Sequence, residues 1–481
     1  MKILLALPLS LICNLCTLSG NAQDTIPVKP NIIYILADDM GYGDLSSYGQ
    51  VNFKTPTLDS LATHGIRFTQ HYAGAPVCAP SRAALMTGRD IGHGWVRGNY
   101  ETGPQGLGAG LPLRPQDITI AEVLKKANYH TALIGKWGLG MDGTTGHPNK
   151  KGFDYFYGYL NQAHAHNQYP DYLYRNDAMF AIPENANRSQ KKFSSDLFTT
   201  EALVFLEQQQ QKEPFFLYLA YITPHAEMVV PDDELFKSFK SKFKEQVYKG
   251  KDYTLEKAIG GYGSSAQPIA AYATMVVRLD RDIAKIMKKL QEKGLAKNTI
   301  IMFSSDNGPH KEGGANPDVL NSSGGLRGAK RDVYEGGIRV PFIVAGAGIK
   351  SNVVSDHLSG FPDILPTVAA YAGVNLQKLG IKTEGLSLLP LLSGNTSRQK
   401  VHKYLYWEFH ENKKPAQAIR YGKWKAVRYG ASKEMELYNL EDEKSEQQNL
   451  ASLYPKLVDK LLMLFNSART SNPYWKIDDS H

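Results

Sequence analysis

Two pairs of oxygen-bearing side chains carry the strongest chemical signal in the chain. Asp38-Asp39 follows the apolar run Asn31 to Leu36, and Asp306-Asn307 follows the run Thr299 to Phe303. Adjacent aspartates at the end of a buried strand repel each other unless a cation lies between them. Four oxygen donors without histidine or thiolate suit a hard ion, Ca²⁺ or Mg²⁺, and not zinc. Asp-Asp and Asp-Asn-Gly also occur in ordinary solvated turns. Finding both pairs after buried strands argues against that reading.

A third signal is the pentapeptide Cys78-Ala79-Pro80-Ser81-Arg82. Pro80 suits the opening of a helix that runs on through Ala83-Ala84-Leu85-Met86. A side chain just ahead of that helix sits beside unpaired backbone N–H groups, which favour an anion. Arg82, one turn on, can point to the same place. The segment therefore reads as a nucleophile beside a pocket for a tetrahedral oxyanion. Cys13 and Cys16 lie in an apolar leader, so its removal leaves Cys78 without an internal disulfide partner. A lone cysteine is ordinarily a small buried hydrophobe; the acidic pairs and Arg82 point to chemistry instead.

These residues need elements to position them. The runs at Asn31 to Leu36, Thr131 to Ile134, Phe215 to Ala220, Thr299 to Phe303 and Pro341 to Ala345 read as strands covered on both faces. Helical patterns lie between them at Leu58 to His64, Ile118 to Ala127, Leu197 to Gln210, Ala270 to Lys293 and Ile364 to Tyr371. The alternation predicts an α/β domain with a mostly parallel central sheet flanked by helices. Asp38 and Asp39, Lys136, His225, and Asp306 and Asn307 each follow a different strand. In such sheets ligands bind beyond the carboxyl ends of the strands, so the residues are expected to converge on one rim. From about His402 short strand patterns and a helix at Tyr454 to Ala468 predict a smaller antiparallel sheet plus helix. The expected division is 1–22 signal peptide, 23–400 catalytic domain and 401–481 C-terminal α+β subdomain.

Composition narrows the class. Met1-Lys2, the apolar stretch to Leu18 and the small residues ending at Ala22 read as an export signal, placing the protein in the periplasm or outside the cell. No later segment is long and apolar enough to span a bilayer. The formal charge of +8 is modest and spread out, which argues against a nucleic-acid groove. A hydrophobic content of 42% supports a sizeable core.

Cys78-Ala79-Pro80-Ser81-Arg82 with Leu85-Met86-Thr87-Gly88-Arg89 resembles the signature of the formylglycine-dependent sulfatases of the alkaline phosphatase superfamily. Further blocks are similar to that family's, in its order: Ile35 to Asp39, Gly135-Lys136-Trp137, Thr223-Pro224-His225, Ser305-Asp306-Asn307-Gly308, and Lys330 before Tyr334-Glu335-Gly336-Gly337. The resemblance implies that Cys78 is converted to formylglycine by a formylglycine-generating or anaerobic sulfatase-maturating enzyme. It implies that Asp38, Asp39, Asp306, Asn307 and the modified Cys78 bind Ca²⁺. It further implies that Arg82 orients the nucleophile, that Lys136 and Lys330 neutralise the sulfate, and that His225 serves the leaving alcohol.

The chain departs from the family at one position. Many members read Gly-Lys-Trp-His, and here Gly138 follows Trp137. His147, His164 and His166 are candidates for the missing base. The segment Gly158 to Asn167 is rich in groups that bond hydroxyls, making His164 and His166 candidate substrate contacts, with Arg97 in Arg97-Gly98-Asn99 as a second subsite. The substrate expected from the resemblance is a sulfated carbohydrate of galactose or N-acetylgalactosamine type. Phe236 to Lys251 interleaves lysines with aromatics and reads as an amphipathic helix, with a basic lid over a polyanionic glycan as the functional alternative. Two rivals stand beside the sulfatase reading: a phosphoesterase of the same superfamily, and a non-catalytic glycan-binding homologue. The acidic and histidine sets of a two-zinc phosphatase are not evident.

Overall fold

The apolar runs form strands of one large sheet. In chain order these are β1 (Asn31–Ala37), β2 (Gly65–Phe68), β3 (His130–Lys136), β4 (Tyr155–Tyr159), β5 (Tyr172–Arg175), β6 (Ala178–Ala181), β7 (Phe215–Ala220), β8 (Thr299–Ser305), β9 (Phe342–Gly346) and β10 (Val353–Ser355). The structure is a computed structural model that describes residues 29–477 except 100–101, 104–105, 108–109, 251–260, 413 and 433. The expected leader, 1–22, lies outside the described residues. The spatial order is β10-β2-β9-β8-β1-β7-β3-β4-β5-β6.

The central strands β8, β1, β7, β3 and β4 run parallel. Every residue of β1 and β7 is buried, which is why these strands read as unbroken apolar runs. The run ending at Ala345 is a strand too, but it returns antiparallel to β8. Parallel strands end at one edge, so Asp38, Lys136 and Asp306 arrive on the same rim. The sequence-based expectation of convergence is met for these three strands.

The two faces of the sheet carry different helices. Among those described are α1 (Pro56–Thr63), α2 (Cys78–Thr87), α3 (Ile120–Lys125), α4 (Ser194–Gln208), α5 (Glu234–Phe239), α6 (Pro268–Glu292), α7 (Ile364–Tyr371) and α8 (Pro455–Ser467). Ile33 and Ile35 of β1 face α4 and α6, whereas Ile32, Tyr34 and Leu36 face α3 and α7. On α6 the stripe Leu279, Ile283, Ile286 and Leu290 meets the sheet at helical spacing. Thr119 and Glu122 close a reciprocal cap at the start of α3. Among the described residues no helix is long and apolar enough to cross a membrane.

One sequence-based helix is much shorter than expected. From Phe236 onward the chain is helical only to Phe239. Lys240 leaves helical space and Ser241 takes a left-handed φ of 67°, which ends the helix despite the amphipathic pattern. Lys251 lies outside the described residues.

The C-terminal strands β11 (Leu405–Phe409), β12 (Ala416–Tyr421), β13 (Trp424–Tyr429) and β14 (Glu436–Asn439) form an antiparallel sheet, with α8 against it. Its other side packs on the large unit, where Trp407 and Phe409 meet Tyr72, Val77 and Ile338. The Trp407 indole donates to the Ala73 carbonyl at 2.9 Å, close to Cys78 in sequence. Arg97 belongs to this junction and not to a sugar subsite. Its guanidinium is 1% exposed and donates to Glu408 Oε1 (3.1 Å), the Gly94 carbonyl (2.9 Å) and the Thr470 carbonyl (3.0 Å). The sequence placed Arg97 near the nucleophile helix, but its side chain turns away to the buried acid of β11.

Burial alone would raise the Glu408 pKa. Its bond to His410 and the charges of Arg97 and Arg469 instead hold it well below the usual carboxylate range. Such a group stabilises the fold above its unfolded pKa of about 4.3, and that stability is lost as pH falls toward the depressed value. Glu408→Gln is expected to cost about 3–5 kcal/mol, because two arginines lose their buried counter-charge. Thermal unfolding should show the loss near neutrality and a flatter acid limb below about pH 4. An unchanged acid limb would contradict the assignment.

Candidate active site

Cys78 is the first residue of α2, not the residue ahead of it; Val77 takes the cap position and Pro80 lies inside the first turn. The thiol is 2% exposed and points to the end of β1, with Sγ 3.3 Å from Asp38 Oδ1 and 3.9 Å from Asp39 Oδ1. Two side chains hold α2 in place. Ser81 Oγ donates to the Asp306 carbonyl at 2.5 Å and accepts from the Gly74 N–H at 3.1 Å. Arg82 donates to Asp306 Oδ2 through Nε at 2.9 Å and lies 3.4 Å from Asp38 Oδ2. Its Nη1 also donates to the Lys136 carbonyl at 2.8 Å. The arginine thus ties the ends of three strands to the helix that carries Cys78.

The acids face one another across this helix end. Asp39 has a left-handed φ of 62°, which turns its side chain back toward Asn307. Asn307 Nδ2 donates to Asp39 Oδ1 at 2.7 Å, and the Asp39 N–H donates to Asp306 Oδ1 at 3.0 Å. Lys136 Nζ donates to Asp38 Oδ2 at 2.7 Å. Burial works to raise the Asp38 pKa, but Lys136, Arg82, His225 and Lys330 outweigh it and hold the group well below the usual range. Asp306 goes the other way, pushed up to about 7 by burial and by Asp38. Cys78 is pushed well above the usual thiol value by burial, then by Asp306 and Asp38.

These residues fit a hard cation. Asp38, Asp39, Asp306 and Asn307 are all fully buried and offer oxygen donors within one small space. Asn307 Oδ1 is buried without a hydrogen-bond partner, an orphaned acceptor of the kind that a metal ion satisfies. Asp38, Asp39, Cys78 and His225 also have ligand atoms all within 4.8 Å of one another.

Lys330 and His225 complete the cluster from two other loops. Lys330 Nζ lies 2.8 Å from Asp39 Oδ2, 2.9 Å from Glu312 Oε2 and 3.2 Å from His225 Nε2. His225 Nδ1 bonds the Ala226 carbonyl, and Gln168 donates to the His225 carbonyl at 2.9 Å. Burial and then Lys330 push the His225 pKa well down, so the ring is neutral as it stands. Glu312 was not singled out from the sequence, although it lies six residues past Asp306. His310 was missed as well. It is fully buried, bonds the Pro224 carbonyl at 3.0 Å and accepts from the Glu312 N–H at 3.1 Å, linking the His225 and Glu312 loops.

The substrate-side candidates separate. His166 stacks on His225 with ring centroids 5.1 Å apart, and Tyr262 leans on His166 at 4.8 Å. His164 is buried instead among aromatics, 4.3 Å from Tyr172 and 4.9 Å from Tyr159, and burial lowers its pKa to about 4. His147 caps the turn at Pro148 through Asn149 and packs on Phe156. Of the three candidate bases, the structure brings His166 to the cluster.

Gly138 has a physical reason. Its φ is +74°, and a Cβ built there would lie 2.0 Å from Gln162 Nε2. Gln162 fills the space into which a side chain at 138 would project. Gly138→Ala is expected to destabilise by about 1–2 kcal/mol from the left-handed backbone alone. A urea midpoint equal to that of the wild type would contradict this account.

Comparison with known proteins agrees with the geometry. The sulfatase family profile matches residues 30–374. A second profile, described as N-sulphoglucosamine sulphohydrolase, C-terminal, matches residues 328–467. The arylsulfatase of Hemicentrotus pulcherrimus is 32% identical over 431 residues, covering 85% of this chain and 69% of that one. N-acetylgalactosamine-6-sulfatase of Homo sapiens is 32% identical over 401 residues, covering 80% of this chain and 70% of that one. The structure of Ps i-CgsB in complex with k-i-k-neocarrahexaose superposes with a TM-score of 0.75 at 28% identity, covering 94% of this chain and 95% of that one. Acids and one lysine at the ends of parallel strands, joined by a histidine and a second lysine from loops, surround one thiol at a helix start within the region that these comparisons match. The chain belongs to the sulfatase family and is a sulfuric ester hydrolase.

Proposed function

We propose that the protein removes sulfate from a sulfated carbohydrate of galactose or N-acetylgalactosamine type, using Cys78 after its conversion to formylglycine, with Ca²⁺ bound beside it. The observation that carries this reading is the position of Cys78 Sγ, 3.3 Å from Asp38 and at the centre of buried acids, arginine and lysines. The human relative named for N-acetylgalactosamine 6-sulfate and the neighbour bound to a neocarrahexaose support the sugar class. Ca²⁺ held by Asp38, Asp39, Asp306 and Asn307 would supply Lewis-acid polarisation of the sulfate. The modified residue would supply paired hydroxyls, a nucleophile able to regenerate itself.

The chain's own residues do the rest. Lys136 and Lys330 present ammonium groups to sulfate oxygens, where charge builds in the transition state. Arg82, pinned by Asp306, fixes the nucleophile's direction. His225 turns Nε2 to the leaving oxygen, where it must first take up a proton before delivering it, and the ring is oriented through Nδ1 by the Ala226 carbonyl. His166, stacked on His225, meets the sugar next to the scissile bond. One observation favours sulfate over a two-metal phosphate reaction: the space between Asp39, Glu312 and His225 is taken by the Lys330 ammonium. Export to the periplasm or beyond, and encounter with a maturating enzyme, belong to the same proposal, as do the 23–400 and 401–481 domain limits.

The test uses protein purified from its native host. The mass of the peptide containing Cys78 is measured, alongside sulfate release from a panel of sulfated monosaccharides and oligosaccharides. A mass for the aldehyde together with sulfate release supports the reading. An unmodified thiol with no release on any sugar overturns it.

A further inference from the structure

Arg331 follows Lys330 directly, yet its side chain has a different outlook. The Lys330 side chain is 4% exposed, whereas that of Arg331 is 41% exposed. Both bond Glu312, Lys330 through Oε2 and Arg331 through Oε1. One carboxylate therefore holds an ammonium inward, against the buried cluster, and a guanidinium outward, toward solvent. The Arg331 N–H donates to the Pro76 carbonyl at 2.9 Å, two residues before Cys78. This ties the guanidinium's backbone to the nucleophile segment.

The backbone of Arg331 carries a cost. Its φ of 76° is left-handed, a conformation that glycine adopts freely and arginine does not. Gly324, Gly325 and Gly328 take the same hand nearby in the same loop. An arginine kept where glycine would be relaxed points to a task for its side chain. Burial works against its charge, but Glu312, Glu411 and Asp39 together outweigh it and keep the guanidinium charged. Among the described residues Glu312 is the hydrogen-bond partner of its side chain, which leaves the rest of a rigid, flat fork of N–H groups for a ligand. Tyr262 leans on His166 at the same cluster, which brings an aromatic ring to the site.

We propose that Arg331 is a specificity-determining residue, and that its guanidinium reads a pair of neighbouring hydroxyls on the sugar that carries the scissile sulfate. This rests on the sulfated-carbohydrate reading above. The fork matches two adjacent oxygens on a ring. A neutral pair fits better than a second anion, because Glu312 and Glu411 already balance the arginine and a further negative group would meet both.

The experiment crosses residue and substrate changes. The substrates are the methyl galactoside sulfate that the wild type desulfates fastest, its deoxy analogue at the carbon next to the sulfated one, and the analogue bearing a second sulfate there. The variants are Arg331→Gly, which suits the backbone and should melt no lower than the wild type, and Arg331→Lys, which keeps charge without the fork. The wild type should prefer the hydroxylated sugar over the deoxy sugar by about 100-fold or more in kcat/KM, since a group built to bond a hydroxyl is left unpaired without it. In Arg331→Gly that ratio should collapse toward 1, and Arg331→Lys should not restore it. A ratio that survives in Arg331→Gly overturns the proposal, as does a wild-type preference for the disulfated analogue. Equal losses on all three substrates and on 4-nitrophenyl sulfate, with a displaced pH profile, would instead make Arg331 a support for Lys330 and overturn the proposal. Wild-type hydrolysis of 4-nitrophenyl sulfate with no release from any sugar would defeat the carbohydrate reading itself, and this proposal with it.

Discussion

Cys78→Ala is expected to abolish steady-state sulfate release, by about 10⁴-fold or more, while the protein stays folded. The side chain is 2% exposed and its loss removes one sulfur atom from the start of α2. The contacts that seat the helix belong to Ser81 and Arg82, so the rim should keep its shape. The stability cost should stay near about 1 kcal/mol, the value of a small buried group. Cys78→Ser separates nucleophilicity from regeneration. Its hydroxyl can take the same bond to Asp38, but a plain serine ester of sulfate has no second hydroxyl to expel the sulfate. Where the introduced serine stays unmodified, at most a single round is expected, seen as a sulfate-sized mass gain on that peptide. Residual steady-state turnover of Cys78→Ala above a hundredth of the wild type would show that the nucleophile lies elsewhere.

Lys330→Ala is expected to lower kcat/KM by about 10²–10³-fold and to move the pH profile. Its ammonium is the shared partner of Asp39, Glu312 and His225. Burial is the main cause of the low His225 pKa, and Lys330 is the next. Removing the positive charge therefore raises the His225 pKa toward its ordinary value of about 6.5. The histidine then takes up a proton at higher pH than in the wild type, so the limb governed by it shifts upward. Glu312 also loses a cation that holds its pKa down and becomes easier to protonate. A rate loss without a pH shift would mean that Lys330 acts on sulfate alone and does not tune His225. Unchanged activity would remove it from the site altogether.

Much of this site could be read before the fold was known. Asp38, Asp39, Asp306 and Asn307 were legible because each follows a run of residues too apolar to be anything but a covered strand. Lys136 and His225 were legible for the same reason. Gly138 was legible as a departure, but its cause was not: Gln162 comes from a separate segment and fills the space only after β3 and β4 pair. Glu312 and His310 lay in plain view beside Asp306-Asn307, without a pattern to separate them from a polar loop. Arg97 shows the opposite failure. Closeness to Cys78 in sequence suggested a shared pocket, yet the deciding partner, Glu408, lies 311 residues away.

The sequence by itself determined five of the ten strands of the large sheet, most of the helices packed on it, the rim on which the polar residues gather, and Cys78 as the candidate reactive position. Those features follow from local causes: apolar runs, helix-starting residues and the chemistry of side-chain types. The tertiary structure decided which way each side chain turns and which distant group it meets. It placed Cys78 inside the first turn of α2, returned β9 antiparallel, and sent Arg97 to the C-terminal sheet. It also set Lys330 inward and Arg331 outward on one glutamate. Such choices depend on charges and packing brought together from segments hundreds of residues apart, and no local pattern carries them.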